Sequence, residues 1–223
     1  MTEQALALKP VPTRILTDKD NIVDIIEHYA KEDIGPNDVV SVAESVVAIT
    51  QGRIVRPEEL QPSLLARILC RFVPQKGSLS SVYGMQAAMN AEGSGRVAWA
   101  MFLGMLGKLV GRHGLFYELA GEQAALIDDV TGTMPPFDKY LVYGPADPNG
   151  VAEAIKKRLG CYGAVVADVN DLKRAAVLGV TPGLNPQEIA RLLIDNPFGN
   201  ASQKTPIVII KNYGSAAQRA TGQ

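Results

Sequence analysis

Residues 163–168 read Gly-Ala-Val-Val-Ala-Asp, and this run decides the fold class. An apolar run closed by a carboxylate is the pattern of a strand buried on both faces. Upstream, Pro148 to Leu159 reads as a helix with Gly160 as its stop. Downstream, Asn185-Pro186 opens a helix to about Asp195, and Pro206-Ile207-Val208-Ile209-Ile210 reads as another buried strand. With Tyr140 to Tyr143 as a strand, the C-terminal third alternates strand and helix, which is the α/β signature. Ser215 to Gln223 is small and polar and reads as a frayed tail.

Toward the N-terminus, Lys9 to Leu16 is an extended stretch punctuated by Pro10 and Pro12. A helix follows, with Asp20 or Asn21 as cap and Ile22, Val23, Ile25, Ile26 and Tyr29 at helical spacing. Gly35-Pro36-Asn37-Asp38 is a turn and Val39 to Val42 a short strand. Glu44 to Gln51 fits a strand or a short helix, and periodicity does not decide between them. Pro57 suits a first helical turn, with Leu60, Leu64, Leu65, Ile68, Leu69 and Phe72 as an apolar face. Ser78 to Gly95 reads as a loop with a short helix around Met85 to Ala91. Val97 to Val110 is apolar except for Lys108 but shorter than the roughly 17–25 residues of a spanning helix. It reads as a buried helix, with Gly104, Gly107 and Gly111 permitting close packing inside the chain or at a subunit contact.

The chain has 223 residues, 22 basic and 23 acidic, for a formal charge of −1, and 47% are hydrophobic. That supports a full core and lacks the basic surplus of a general nucleic-acid binder. Two cysteines (Cys70, Cys161) and two histidines (His28, His113) offer little for a disulfide framework or a nitrogen–sulfur zinc site. Met1-Thr2-Glu3-Gln4 lacks a basic-then-apolar signal pattern, so a cytoplasmic protein is expected.

Gly93-Ser94-Gly95-Arg96-Val97-Ala98 matches the dinucleotide fingerprint, but the preceding residues look helical where a strand is required. A plain inter-helix connection is the better reading, and a Rossmann oxidoreductase the weakest of the functional ones. The carboxylates say more. Asp128-Asp129 precede Thr131-Gly132-Thr133, and Asp168 ends its strand ahead of Asn170, Asp171, Lys173 and Arg174. Ligands of open α/β sheets bind beyond the carboxyl ends of strands, and magnesium or manganese takes carboxylate, phosphate and water oxygens. Lys173 and Arg174 beside such a metal would suit a nucleotide's phosphates. Composition alone favours turn chemistry for residues 168–171. Arg112-His113-Gly114 could meet phosphate or carboxylate, or complement a helix C-terminus. Asn196 to Thr205 is a polar connection that is either a ligand clamp or a linker.

Taken in order, these segments resemble the coenzyme F-420-0:gamma-glutamyl ligase family. The resemblance runs through Val11-Pro12-Thr13, the helix after Asp20, residues 35–42, the stretch Ala43 to Arg53 with its closing Gly-Arg, Arg112-His113-Gly114, Asp168, and Asn196 to Ile210. It implies an α+β fold with mixed sheets and flanking helices: one domain over 1–223, or two interlocked subdomains of about 1–135 and 136–211. It also implies an intertwined homodimer and a GTP (or ATP) site with Mg2+ or Mn2+. The implied reaction joins a substrate carboxylate to the amine of L-glutamate through an acyl phosphate. By resemblance Asp168 would hold the metal, with Asp129 (or Asp128) in place of the family's second aspartate and Asp171, from the run after the strand, as a further candidate ligand. Pro12, Glu44, Ser45, Gly52, Arg53 and Lys204 would bind the nucleotide, and Arg112, His113 and Arg174 would act on the substrate. Ser45 and Ile49 stand where the family has lysines, and Ala167 and Val169 replace the Ser and Thr flanking its aspartate. Those departures suggest the alternative of a non-catalytic nucleotide- or metabolite-binding homologue.

Overall fold

The computed structural model describes residues 6–74, 77–128, 135–199 and 203–221. Asp129, Thr131-Gly132-Thr133 and Asn200-Ala201-Ser202 lie outside the described residues. In chain order the elements begin with β1 (Ala7–Val11), α1 (Ile22–Ala30), β2 (Val39–Ala43), α2 (Glu44–Thr50) and β3 (Ile54–Val55). Helices α3 (Leu64–Leu69), α4 (Val82–Glu92), α5 (Ser94–Leu109), α6 (Leu115–Ala120) and α7 (Glu122–Leu126) follow. Then come β4 (Leu141–Val142), α8 (Pro148–Leu159), β5 (Gly163–Asn170), β6 (Arg174–Val180), α9 (Pro186–Leu193), β7 (Ile207–Lys211) and α10 (Tyr213–Thr221). They form two compact units, Met1–Gly52 with Pro145–Gln223, and Arg53–Gly144. The division differs from a split near residue 135, because β4 pairs with β3 and so keeps residues 136–144 in the second unit.

The first unit is a five-stranded sheet in the order β1-β7-β2-β5-β6. β2 and β5 are parallel and every other neighbouring pair is antiparallel, so the sheet is mixed and the fold α+β. Both faces are covered, which is why its central strands read as unbroken apolar runs. On one face Val40, Val42, Val166, Ile207 and Ile209 pack against Ile25 and Ile26 of α1 and Ile155 of α8. On the other, Val39, Val165, Val208 and Ile210 meet Ile189 and Leu193 of α9 and Tyr213 of α10.

Several local expectations are settled or corrected here. Asn21 caps α1, its side-chain oxygen accepting the Val23 N–H at 2.9 Å. Glu44 to Thr50 is a helix that buries Val47, Ala48 and Ile49, and Gly52 ends it at φ +68° with its N–H on the Ile49 carbonyl. The strand carrying Asp168 does not stop there. It runs to Asn170, and the turn falls at Asp171–Lys173, with Lys173 at φ 57°. The partner β6, Arg174 to Val180, is a strand that its alanines and glycine disguised. Residues 215–221 are helical rather than frayed, because buried Tyr213 roots α10 by donating its hydroxyl proton to Glu188 at 3.0 Å.

The second unit is helical around the small β3–β4 hairpin. The continuous helix expected from Pro57 is broken into a turn at Pro57–Glu59, the helix α3 capped by Ser63, and a turn at Cys70–Phe72. Pro62 intervenes before the cap, and the buried residues are Ala66, Leu69 and Cys70. Leu64, Leu65, Ile68 and Phe72 of the expected apolar face are exposed. Residues 82–92 form a full helix capped by Ser81, where a loop with a shorter helix was expected. Gly93 (φ +89°) separates α4 from α5, so the glycine pattern at 93–98 is an inter-helix junction. Gly104 and Gly107 face α6: a Cβ on Gly104 would lie 2.8 Å from the Phe116 Cβ, and one on Gly107 3.0 Å from Leu115 Cδ2. These glycines therefore serve packing within the unit.

A buried ion pair secures one end of the sheet. Asp38, 2% exposed, accepts the Lys211 Nζ at 2.5 Å, the Gly35 N–H at 2.8 Å and the Asn212 N–H at 2.8 Å. Burial pushes its pKa up, but the bonds from Lys211, Asn212 and Gly35 outweigh it and hold the carboxyl below its ordinary value. A depressed carboxyl stabilises the fold above its unfolded pKa and loses that contribution as pH falls through the folded one. Asp38→Asn is therefore expected to cost about 2–4 kcal/mol at pH 7. In urea unfolding its deficit against the parent should shrink as the buffer is taken down through the carboxylate range. A deficit independent of pH would show that the charge is not what holds the site. A separate prediction concerns the helices. Gly104→Val should destabilise the second unit by about 1–3 kcal/mol in the same assay, since Phe116 must shift.

Candidate functional site

The parallel register of β2 and β5 sets Ala43 against Ala167, so Glu44 leaves the sheet into α2 next to the point where Asp168 continues β5, paired with Ala176 of β6. This is the carboxyl edge of the parallel pair, where α/β sheets place ligands. Glu44 opens α2 and is 8% exposed, and α2 packs against β5. Ser45 follows on the first turn, half-buried. Side chains alternate across a strand, so Asp168 shares a face with Val166 and Ala164 and stands past the end of that apolar core.

The other strands bring their ends to the same edge. β1 and β7 are antiparallel, with Val11 opposite Ile207, so Pro12 and Thr13 lie beside Lys204, Thr205 and Pro206. The Thr13 N–H donates to the Lys204 carbonyl at 2.8 Å, and the Ala43 N–H to the Pro206 carbonyl at 2.9 Å. Lys204 is held at φ 51° with its side chain exposed. Pro12, Glu44, Ser45, Asp168 and Lys204 are thus gathered at one edge from four separate segments. Gly52, at the far end of α2, is six residues past Val46 in the same unit.

Asp168 reaches solvent, yet burial raises its carboxyl above the ordinary value, and no cation among the described residues offsets it. Its donors are oxygen, the type a hard divalent ion takes, and one or two carboxylates suffice for magnesium when phosphates and water complete the shell. The fit is to Asp168 with Glu44 beside it. Among the described residues no group of three His, Cys, Asp or Glu side chains is placed to hold an ion, and Asp129 lies outside those residues. Asp171 is at the hairpin tip, where its carboxylate accepts the Asn196 amide at 2.5 Å, and Lys173 pairs with Asp195. Arg174 starts β6 with its side chain exposed, opposite Asn170.

The remaining candidates belong to the second unit. Arg53 is locked in place: its Nε donates to the Gly144 carbonyl at 2.5 Å, a terminal nitrogen donates to Gln123 Oε1 at 2.7 Å, and the guanidinium lies over Tyr143. Arg112 pairs with Glu118 at 3.1 Å at the exposed end of α5, and His113 is exposed beside it. Sequence reasoning passed over Thr13 and Asn170. The signal for Thr13 was its place directly after Pro12 at a strand end. Asn170 shares the face of Asp168 by alternation, which became readable once β5 was seen to continue.

The fold and edge define a class: an α+β protein with an oxygen-rich acidic edge at the carboxyl ends of a parallel strand pair. Residues 10–95 match the family model described as F420-0:gamma-glutamyl ligase, and the match covers less than half of the chain. The match contains Pro12, Glu44, Ser45, Gly52 and Arg53 and ends before Arg112, His113, Asp168, Asp171, Arg174 and Lys204. A search of curated proteins finds no match to the chain.

A carboxylate desolvated without a counter-charge is a local cost that function tolerates. Its raised pKa means the ionised form is the one penalised at neutral pH, and protonation relieves the penalty. Asp168→Asn is accordingly expected to raise the thermal midpoint slightly at pH 7. The advantage should vanish as pH falls and the parent carboxyl takes up its proton. A lower midpoint at pH 7 would show that Asp168 is held by stabilising partners instead.

Proposed function

We propose that the chain is a nucleotide- and divalent-metal-dependent ligase that forms an amide between a substrate carboxylate, of the coenzyme F-420 type, and L-glutamate. The observation that carries this reading is the juxtaposition of Glu44 and Asp168 at the carboxyl edge of the parallel pair, within a chain whose residues 10–95 match the ligase family. Asp168 with Glu44 would hold Mg2+ or Mn2+, and the ion would supply charge neutralisation for a transferred phosphoryl group. Asp129 and Asp171 are kept as secondary candidates for that role, with Asp171 first having to release Asn196.

On this reading Lys204 meets a phosphate of GTP or ATP at the edge, while the Pro12–Thr13 backbone and the first turn of α2, with Ser45, bound the pocket. Gly52 closes α2, and Arg53, Arg112, His113 and Arg174 are the basic groups proposed to meet nucleotide or substrate anions. Chemically, the substrate carboxylate attacks the terminal phosphorus and the nucleoside diphosphate leaves. The glutamate amine then attacks the acyl phosphate, its proton is lost, and inorganic phosphate departs. Stabilising negative charge as it develops on these groups is where fixed cationic side chains contribute. A cytoplasmic homodimer belongs to the same proposal.

The second reading is a non-catalytic nucleotide- or metabolite-binding homologue. One observation favours it: Ile49, at a position where the family has a lysine, is 5% exposed in the apolar core. Phosphate release from GTP or ATP, measured with Mn2+, a deazaflavin carboxylate acceptor and glutamate, separates the two. A ligase should release phosphate when all components are present, and Asp168→Asn should lower that rate on the order of 100-fold or more. Nucleotide binding by calorimetry without turnover would favour the homologue, and absence of any binding would remove both readings.

A further inference from the structure

From Leu60 to Ala91 the chain carries no Asp or Glu, while Arg67, Arg71 and Lys76 fall inside that run. Helix α3 and the turn at Cys70–Phe72 lie within it, and the fold uses one side of them. Ala66, Leu69, Cys70 and Val73 are buried. On the other side Leu64 (74% exposed), Leu65 (38%), Ile68 (45%) and Phe72 (51%) stand in water, with Arg67 and Arg71 exposed among them. At about 100° per residue Leu64, Leu65 and Ile68 fall within a sector of about 100°, and Arg67 borders it. Neither guanidinium has an ion pair among the described residues. The Arg67 Nε donates to the Pro62 carbonyl at 3.4 Å. Upstream, Glu58 and Glu59 belong to the turn before Pro62, and both act on Arg56, whose N–H Glu59 accepts at 3.3 Å.

The four apolar side chains leave roughly 400 Å² in water, a patch of the size that marks a contact surface on a monomer. It is about half of what one partner of a standard protein–protein interface buries. A bilayer asks for no matching contour, and its hold grows with apolar area and with the attraction of basic groups to anionic headgroups. Leu64, Leu65, Ile68 and Phe72 can enter the acyl boundary while Arg67 and Arg71 reach lipid phosphates on their flexible stems. A second copy of the same face is the poorer occupant, since it would press four guanidiniums together with no carboxylate between them. Among the described residues no helix is long and apolar enough to cross a membrane, so the contact lies in the plane of the interface.

We propose that the α3 face, Leu64, Leu65, Ile68 and Phe72 with Arg67 and Arg71, docks the protein on an anionic lipid surface. The apolar side chains enter the headgroup boundary and the guanidiniums bind lipid phosphate. The inference needs neither nucleotide nor turnover and does not depend on the ligase reading. Trp99, the sole tryptophan of the chain, is exposed on a different helix, α5, so its emission serves as the reference for another face.

Flotation of the full-length protein with equimolar phosphatidylglycerol–phosphatidylcholine vesicles at low salt should carry it into the vesicle layer. The Arg67→Gln, Arg71→Gln double variant should bind these vesicles about thirty-fold more weakly, each basic group near such a surface being worth about a factor of five. Pure phosphatidylcholine vesicles should bind the parent at least as weakly. Leu64→Glu should abolish flotation with unchanged far-ultraviolet dichroism; Phe72→Ser is the second variant. In a Leu64→Trp, Trp99→Phe protein, emission should move to the blue on the mixed vesicles and be quenched by brominated lipid, while Trp99 emission of the parent stays where it was. Absence of flotation overturns the proposal. So does flotation that survives both Leu64→Glu and Phe72→Ser, or that is equal on pure phosphatidylcholine. A blue shift of Trp99 with none from position 64 would put the lipid contact on α5 and overturn it too. None of these outcomes touches the phosphate-release assay, so the two proposals fail separately.

Discussion

The parallel pairing of β2 with β5 is the constraint on which the first unit rests. Among the described residues it is the one parallel contact in a sheet otherwise antiparallel, and parallel neighbours need a long connection between them. Here the connection contains a whole second unit. The same pairing aligns Ala43 with Ala167 and so delivers two carboxylates to one edge. A slip of one residue would turn Asp168 to the opposite face and bury it under α9 and α10, among Val165 and Ala167. Register here is set by apolar packing on both faces, since Val40, Val42 and Val166 need one side and Val39 and Val165 the other.

The two edges of this sheet are held by opposite means. At one, Asp38 is deeply buried but bonded on every side, so its charge is stabilised. At the other, Asp168 is more open but has no cationic neighbour among the described residues, and desolvation prevails. Neutralisation, and not depth, decides which carboxylate supports the fold and which is available to a ligand.

Much of the first unit was legible in the sequence because long apolar runs have few alternatives. Gly163 to Asp168, Pro206 to Ile210 and the Asn21-capped helix lie where their patterns put them. β6 was not legible: Arg174-Ala-Ala-Val-Leu-Gly-Val alternates weakly, and its identity comes from pairing with β5. The tail helix was hidden for a similar reason, since Ser, Ala and Gln carry no stripe and the anchor is a single tyrosine. In the second unit, periodicity found α5 and parts of α3 and α4, missed α6 and α7, and misjudged which faces are inward. Leu64, Ile68 and Phe72 carry the same hydrophobicity as Leu69, and only the fold separates them. Of the candidate site, the Glu44–Asp168 pairing depended on a register joining residues more than a hundred positions apart, which no local pattern can show. Of the segments the resemblance named, those at residues 12–13, 43–45, 168 and 204–206 come to one edge of the sheet, and the resemblance did not reveal why.

Entry into and exit from the second unit are each fastened. On the first unit's side, Gln51 and Ala146 exchange two hydrogen bonds, at 3.0 and 2.7 Å. Within the second unit, Arg53 accepts the Tyr143 N–H at 2.9 Å and binds the Gly144 carbonyl through its own side chain. The entropy of closing such a loop rises only slowly with its length, by about 0.6 kcal/mol for each doubling. The intervening ninety or so residues can therefore change in length at little entropic cost to the sheet that holds their two ends.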